Sequence, residues 1–126
     1  MILLDTHAFY WYMCDKDRLT PAVMDIIETA DRVCVSVATF WEMTIKFSLG
    51  KLTLPAPISS LMEACGQSGF TILPITSEHL TCLASLPFIH RDPFDRLIIA
   101  QALAENMAII TTDHMIPQYP VKTFWE

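Results

Sequence analysis

The chain has 126 residues, of which 52% are hydrophobic and 17% charged, and its net charge is −6. This is enough for one domain with a real core, burying roughly 65–70% of the surface its unfolded chain exposes, and it is too apolar for intrinsic disorder. The acidic balance speaks against broad nucleic-acid contact through Lys and Arg, an objection that weakens if several acids share a cation.

Read in chain order, Ile2–Asp5 is a short buried strand, and Thr6–Met13 a helix or turn after it. Thr20-Pro21 starts a helix, with Thr as cap and Pro at the first helical position. Val23, Met24, Ile26, Ile27 and Ala30 form its apolar stripe. Val33–Ser36 is a β-branched strand. Ser36 can cap the next helix, 37–49, which Gly50 ends. Residues 51–54 form a short extended piece before Pro55. Residues 59–67 are helical and stop near Gly66 and Gly69, 70–73 form a strand, and 77–85 form a helix ended by Pro87. A helix runs over 93–106, then a strand over 108–111, and a last strand lies over 121–124.

Strands alternate with helices, and the strands are short and apolar throughout. That pattern gives an α/β fold with a mostly parallel sheet covered on both faces, in a single domain spanning 1–126. The helix over 93–106 is apolar on nearly every side, so it is expected to be deeply buried and partly in a subunit interface. With the high apolar content, this predicts a dimer, a protein partner, or both. Charges or prolines break every apolar run before the ~18 residues of a membrane span. Asp5 falls where a secretion signal would be apolar. A cytoplasmic protein without membrane contact is expected, its four cysteines (Cys14, Cys34, Cys65, Cys82) reduced and mostly buried.

In an open α/β sheet, ligands bind beyond the carboxyl ends of the strands. Asp5 ends the first strand, and Asp113 follows the strand AIITT. Asp95 lies in the first turn of the helix before that strand. Glu42 lies in the helix after VCVS, among Phe40, Trp41 and Met43. These four acids could converge on one edge of the sheet. Each also has an ordinary reading. Asp5 could cap a helix, and Glu42 could pair with Lys46 one turn on. Asp113 could start a turn, and Asp95 could close a capping box with Asp92. If all four share a site they repel one another, and one is pushed up in pKa unless a hard cation such as Mg²⁺ or Mn²⁺ intervenes. Such an ion activates water and stabilises a phosphodiester under attack.

Other chemistries are poorly supplied. Three glycines allow neither a Walker loop nor GxGxxG. The histidines His7, His79, His90 and His114 form no HExxH, and no Cys/His set has zinc spacing. His7 and His90 stand out slightly because each flanks a proposed acid. Trp11, Trp41 and Phe94 read as core or interface residues.

The segments LLDTH (3–7), WEMTIK (41–46), GKL (50–52), HRDPFDRLIIAQA (90–102) and IITTD (109–113) together resemble the PIN-domain family. More narrowly, they resemble its VapC-type ribonuclease toxins. The resemblance runs from residue 2 to about Tyr119, and HRDPFDRLIIAQA is its most specific part. It implies a three-layer α/β/α sandwich around a roughly five-stranded sheet, and Mg²⁺- or Mn²⁺-dependent cleavage of RNA. It carries Asp5, Glu42, Asp95 and Asp113 over as the catalytic acids, with Asp5 and Asp95 as direct metal ligands. Thr6 and Thr112 fall where the family has supporting hydroxyls. The resemblance also implies a homodimer and a small DNA-binding antitoxin that blocks the site. Lys46, Lys51, Arg91 and Arg96 lie in the matching segments, where they could hold RNA phosphates. One departure is DHMIPQY (113–119), where an aromatic is expected after the acid.

Two rivals are kept open. A haloacid-dehalogenase-like phosphotransferase would use Asp5 as nucleophile but would want an acid two residues on, where His7 stands. A non-catalytic binding module would be missing an acid, and none is missing.

Overall fold

The computed structural model describes residues 1–125. Five short strands form one sheet: β1 (Ile2–Leu4), β2 (Val33–Ser36), β3 (Thr71–Leu73), β4 (Ala108–Ile110) and β5 (Thr123–Phe124). Their order is β3-β2-β1-β4-β5, and every pairing is parallel. Six α-helices connect them: α1 (Thr6–Cys14), α2 (Pro21–Thr29), α3 (Val37–Ser48), α4 (Ile58–Gln67), α5 (Ser77–Ala84) and α6 (Pro93–Glu105). Short 3-10 turns at Lys16–Arg18 and Ile116–Gln118 were not legible as elements in the sequence.

The sheet is buried on both faces, as continuous apolar strands require. Ile2, Leu4, Val33 and Val35 point to one side and pack with Phe9, Val23, Phe40, Met43 and Leu61 of α1 to α4. Leu3, Cys34, Leu73 and Ile109 point to the other, against Ile98, Ile99 and Ala102 of α6. The result is the expected three-layer α/β/α sandwich.

The element ends have local causes. Asp5, Thr20, Ser36, Thr76 and Asp92 each accept a backbone N–H at a helix start with their side chains. Helix α3 stops at Gly50, whose φ of 72° is left-handed, and α6 stops at Asn106, whose φ is 57°. Helix α4 ends at Gln67, near Gly66 and Gly69 as expected, and Gly69 at φ 85° makes the turn to β3. Residues 51–54 add no strand to the sheet.

From Leu97 to Ala102, α6 is buried throughout within the single chain. It packs against β1, β4, α3 and α5, so the chain's own core accounts for the burial of this stretch. All four cysteines are free; Cys34 and Cys65 are buried, Cys82 is half-buried and Cys14 is exposed.

Candidate active site

Strand order places a crevice at the centre of the sheet. The chain proceeds outward from β1 through β2 to β3, then returns to the other side of β1 for β4 and β5. The carboxyl ends of β1 and β4 therefore mark the switch point at which open α/β sheets bind ligands. Asp5 stands directly after β1, with its N–H donated to the carbonyl of Ile110, the last residue of β4. Asp113 stands three residues beyond β4.

Asp5 is almost fully buried, at 3% exposure. Its Oδ1 accepts the N–H of Ala8 at 2.8 Å and so caps α1. Burial raises its pKa above the ordinary carboxylate value, and the charge of Asp113 adds to the rise; hydrogen bonds from Thr111 and Ala8 and the neighbouring His7 oppose it. Asp5 therefore caps α1 and, in the same position, stands at the switch point within reach of the Asp113 charge.

Asp95 sits in the first turn of α6. Its Oδ2 lies 3.1 Å from Nε2 of His90. Burial pushes its pKa up to about 6, and the charges of Asp92, Asp113 and Glu42 push in the same direction. The cap of α6 is Asp92, whose Oδ1 accepts the N–H groups of Phe94 (2.9 Å) and Asp95 (3.0 Å). Asp95 bonds His90 rather than closing a capping box.

Glu42 is buried, at 4% exposure, and both its oxygens are engaged. The Thr6 hydroxyl donates to Oε1 at 2.6 Å, and Lys46 Nζ meets Oε2 at 2.7 Å. The one-turn pair with Lys46 is real, but it is not a solvated surface pair. Asp113 is half-buried, and its Oδ1 accepts the N–H of Met115 at 2.6 Å. It does form a turn, and its charge still reaches both Asp5 and Asp95.

The fold thus brings the four acids into one electrostatic neighbourhood. Among the described residues, no three His, Cys, Asp or Glu side chains form a ready-made metal cage. Of the expected supporting hydroxyls, Thr6 is in place on Glu42. Thr112 is exposed, and the inward hydroxyl belongs to Thr111. Thr111 is 4% exposed, bonds Asp5, and accepts the N–H of Asp113 at 2.9 Å.

The four basic residues divide. Lys51 and Arg91 are exposed, and neither forms an ion pair among the described residues. Lys46 is half-buried beside Glu42. Arg96 does not face solvent. It is 6% exposed, its Nη1 donates to the Pro87 carbonyl at 2.8 Å and to the Tyr119 hydroxyl at 3.2 Å, and its guanidinium lies 4.0 Å from the Phe88 ring centre. A phosphate-binding role for Arg96 is therefore corrected: its charge is held inside by three protein partners.

A groove of about 510 Å³ opens beside Thr6 and Lys46, the two partners of Glu42, and is lined also by His7, Trp11, Arg18 and Met43. His7 is exposed there and lies against Trp11, with ring centres 5.6 Å apart. Trp41 is 56% exposed and meets Phe94 edge-on at 5.0 Å, so it is not a core residue.

The description of one protein family, the PIN domain, matches residues 2–122. The chain belongs to the PIN-domain family. Ribonuclease VapC22 of Mycobacterium tuberculosis is 28% identical to this PIN domain over 115 residues, covering 91% of this chain and 88% of that protein. The PIN fold also superposes on solved structures. One is VapBC2 from Rickettsia felis bound to a DNA fragment from its promoter, at TM-score 0.74 and 17% identity over all of both chains. Another is DNA-bound VapBC from Salmonella typhimurium, at TM-score 0.72 and 16% identity, covering 98% of this chain and 96% of that one. Among the described residues of this PIN domain, no helix is long and apolar enough to cross a membrane.

Proposed function

We propose that this PIN domain is a metal-dependent endoribonuclease and the toxin of a toxin–antitoxin pair. The observation that carries the reading is the convergence of Asp5, Glu42, Asp95 and Asp113 at the switch point of the sheet, where burial keeps two of them at raised pKa. Similarity to a protein named a ribonuclease, along nearly the whole chain, supports the activity.

The donor set fits a hard divalent cation. Asp5, Asp95 and Asp113 are oxygen donors, the charge of Asp113 acts against both of the others, and Asp5 and Asp95 lie in surroundings that penalise their charge. Asp5 and Asp95 would hold Mg²⁺ or Mn²⁺, with Asp113 beside them. When bound, the ion supplies positive charge against the phosphodiester and lowers the pKa of water. The chain's own groups do the rest. Glu42, with both oxygens engaged, fixes Thr6 and Lys46 relative to α1 and α3. Thr111 holds the Asp5 carboxylate and the Asp113 backbone in register. Lys46, Lys51 and Arg91 offset phosphate charge near the acids.

The proposed partners are RNA as substrate, a second copy of the chain, and a DNA-binding antitoxin that lays a basic side chain over the acids. A partner of this kind is supported by the solved structure of the same fold from Rickettsia felis, VapBC2, which is bound to a DNA fragment from its promoter. The domain would act in the cytoplasm as a single unit over 1–126. Expression of the chain alone, followed by sequencing of RNA 5′ ends, tests the activity. New ends at a restricted set of sites are expected, and they should be absent with Asp95→Asn. An unchanged set of ends would overturn the reading.

A further inference from the structure

The geometry points to His90 as a positioning residue for Asp95, locked in the Nε2–H tautomer by Tyr119 and Arg96. The inference rests on the reading that Asp95 belongs to the nuclease site.

It follows from counting protons around the Tyr119 hydroxyl. That oxygen accepts the backbone N–H of His90 at 3.1 Å and the Arg96 guanidinium at 3.2 Å. Both are donors only, since neither a backbone amide N–H nor a guanidinium has a lone pair with which to accept. The hydroxyl's two lone pairs are then used, and its own proton must be donated. Two acceptors lie within reach: His90 Nδ1 at 2.8 Å and the His90 carbonyl at 3.5 Å. The shorter contact takes the proton. A ring nitrogen that accepts carries no hydrogen, so the imidazole proton sits on Nε2. Nε2 is the atom 3.1 Å from Asp95 Oδ2. The donors therefore run in one direction, from Arg96 to Tyr119 to His90 to Asp95.

The surroundings hold this chain still. Tyr119 is 2% exposed, and its ring meets that of His90 edge-on at 5.4 Å. Arg96 is tied down as well by the Pro87 carbonyl and the Phe88 ring. One carboxylate oxygen of Asp95 is thus fixed by an imidazole N–H, and Oδ1 has no protein donor among the described residues. Groups that orient a ligand through a hydrogen bond in this way typically change metal affinity or activity by about 10- to 100-fold when removed.

Long-range proton–nitrogen NMR of the full-length protein at neutral pH reads the tautomer directly. His90 should show a protonated Nε2 and a bare Nδ1, and Tyr119→Phe should abolish that preference. Calorimetric titration with Mn²⁺ gives the second readout. His90→Ala should weaken Mn²⁺ binding and lower kcat about 10- to 100-fold with KM little changed. His90→Gln, whose amide can donate from near the place of Nε2, should recover most of both. A wild-type ring protonated on Nδ1 would overturn the assignment. So would a His90→Ala protein that binds Mn²⁺ and cuts RNA normally, or a Gln variant no better than Ala. A wild type that neither binds Mn²⁺ nor cuts RNA sinks the nuclease reading and this role with it; a working wild type indifferent to His90→Ala sinks this role alone.

Discussion

Asp92 and Asp95 stand three residues apart in HRDPFDR, yet their carboxylates have different partners. Asp92 gives one oxygen to two N–H groups of its own helix; Asp95 meets His90 and feels the charge of Asp113 and Glu42. Asp92→Ala should therefore cost about 0.5–2 kcal/mol of stability through the lost cap, visible in denaturant unfolding, with cleavage retained in the folded fraction. Asp95→Asn should stay folded and lose cleavage. The pH dependence separates the two further. The folded pKa of Asp95 lies near 6, above the ordinary value of 3.8. Its stabilising contribution is fully present below pH 3.8 and is lost as pH rises through 6. The penalty in metal-free protein near pH 7 is at most about 3 kcal/mol, and less after screening by solvent. Melting of Asp95→Asn against wild type without metal should show a gap in favour of the variant that widens from pH 4.5 to 7.5. A gap independent of pH would contradict the raised pKa. At this scale the four acids were legible because each falls at a strand end or a helix turn. Thr111 was not: β4 is buried on both faces, so no polar alternation says which of two adjacent threonines points inward. Nor was Arg96, because only partners far along the chain, notably Tyr119, explain a buried guanidinium.

At the scale of elements, all five strands and all six helices were legible, with ends displaced by a residue or two. Caps such as Thr20-Pro21 and Asp92-Pro93 carry strong local signals, whereas the strands are only two to four residues long. The end of α4 was legible too: the helix stops at Gln67, between Gly66 and Gly69, and Gly69 is the one that takes the left-handed turn. The same logic makes Asn106 testable. At φ 57° it tolerates the left-handed turn that closes α6 and starts the path to β4. Asn106→Gly should be neutral or slightly stabilising, and Asn106→Val should cost roughly 1–2 kcal/mol. Equal unfolding midpoints for the two variants would contradict the cap.

For the whole molecule, apolar content and net charge both needed the fold to be understood. Much of the apolar 52% fills two cores, one on each side of the sheet, so composition alone no longer argues for a dimer. The argument moves to large side chains left in solvent, among them Trp41, Phe47, Leu49 and Phe88, which are 54–83% exposed. Light scattering at micromolar concentration should give the mass of two chains, and a monomer across a wide concentration range would refute the homodimer. The net charge of −6 ceases to oppose an RNA substrate once four of the acids are placed around one crevice. That placement is the central claim, and cleavage of purified RNA before and after chelation tests it most directly. Wild type should cut with Mg²⁺ or Mn²⁺, stop with excess chelator and resume when metal is restored, while Asp95→Asn stays inactive throughout. Cleavage that survives exhaustive chelation, or that Asp95→Asn performs at the wild-type rate, would contradict it.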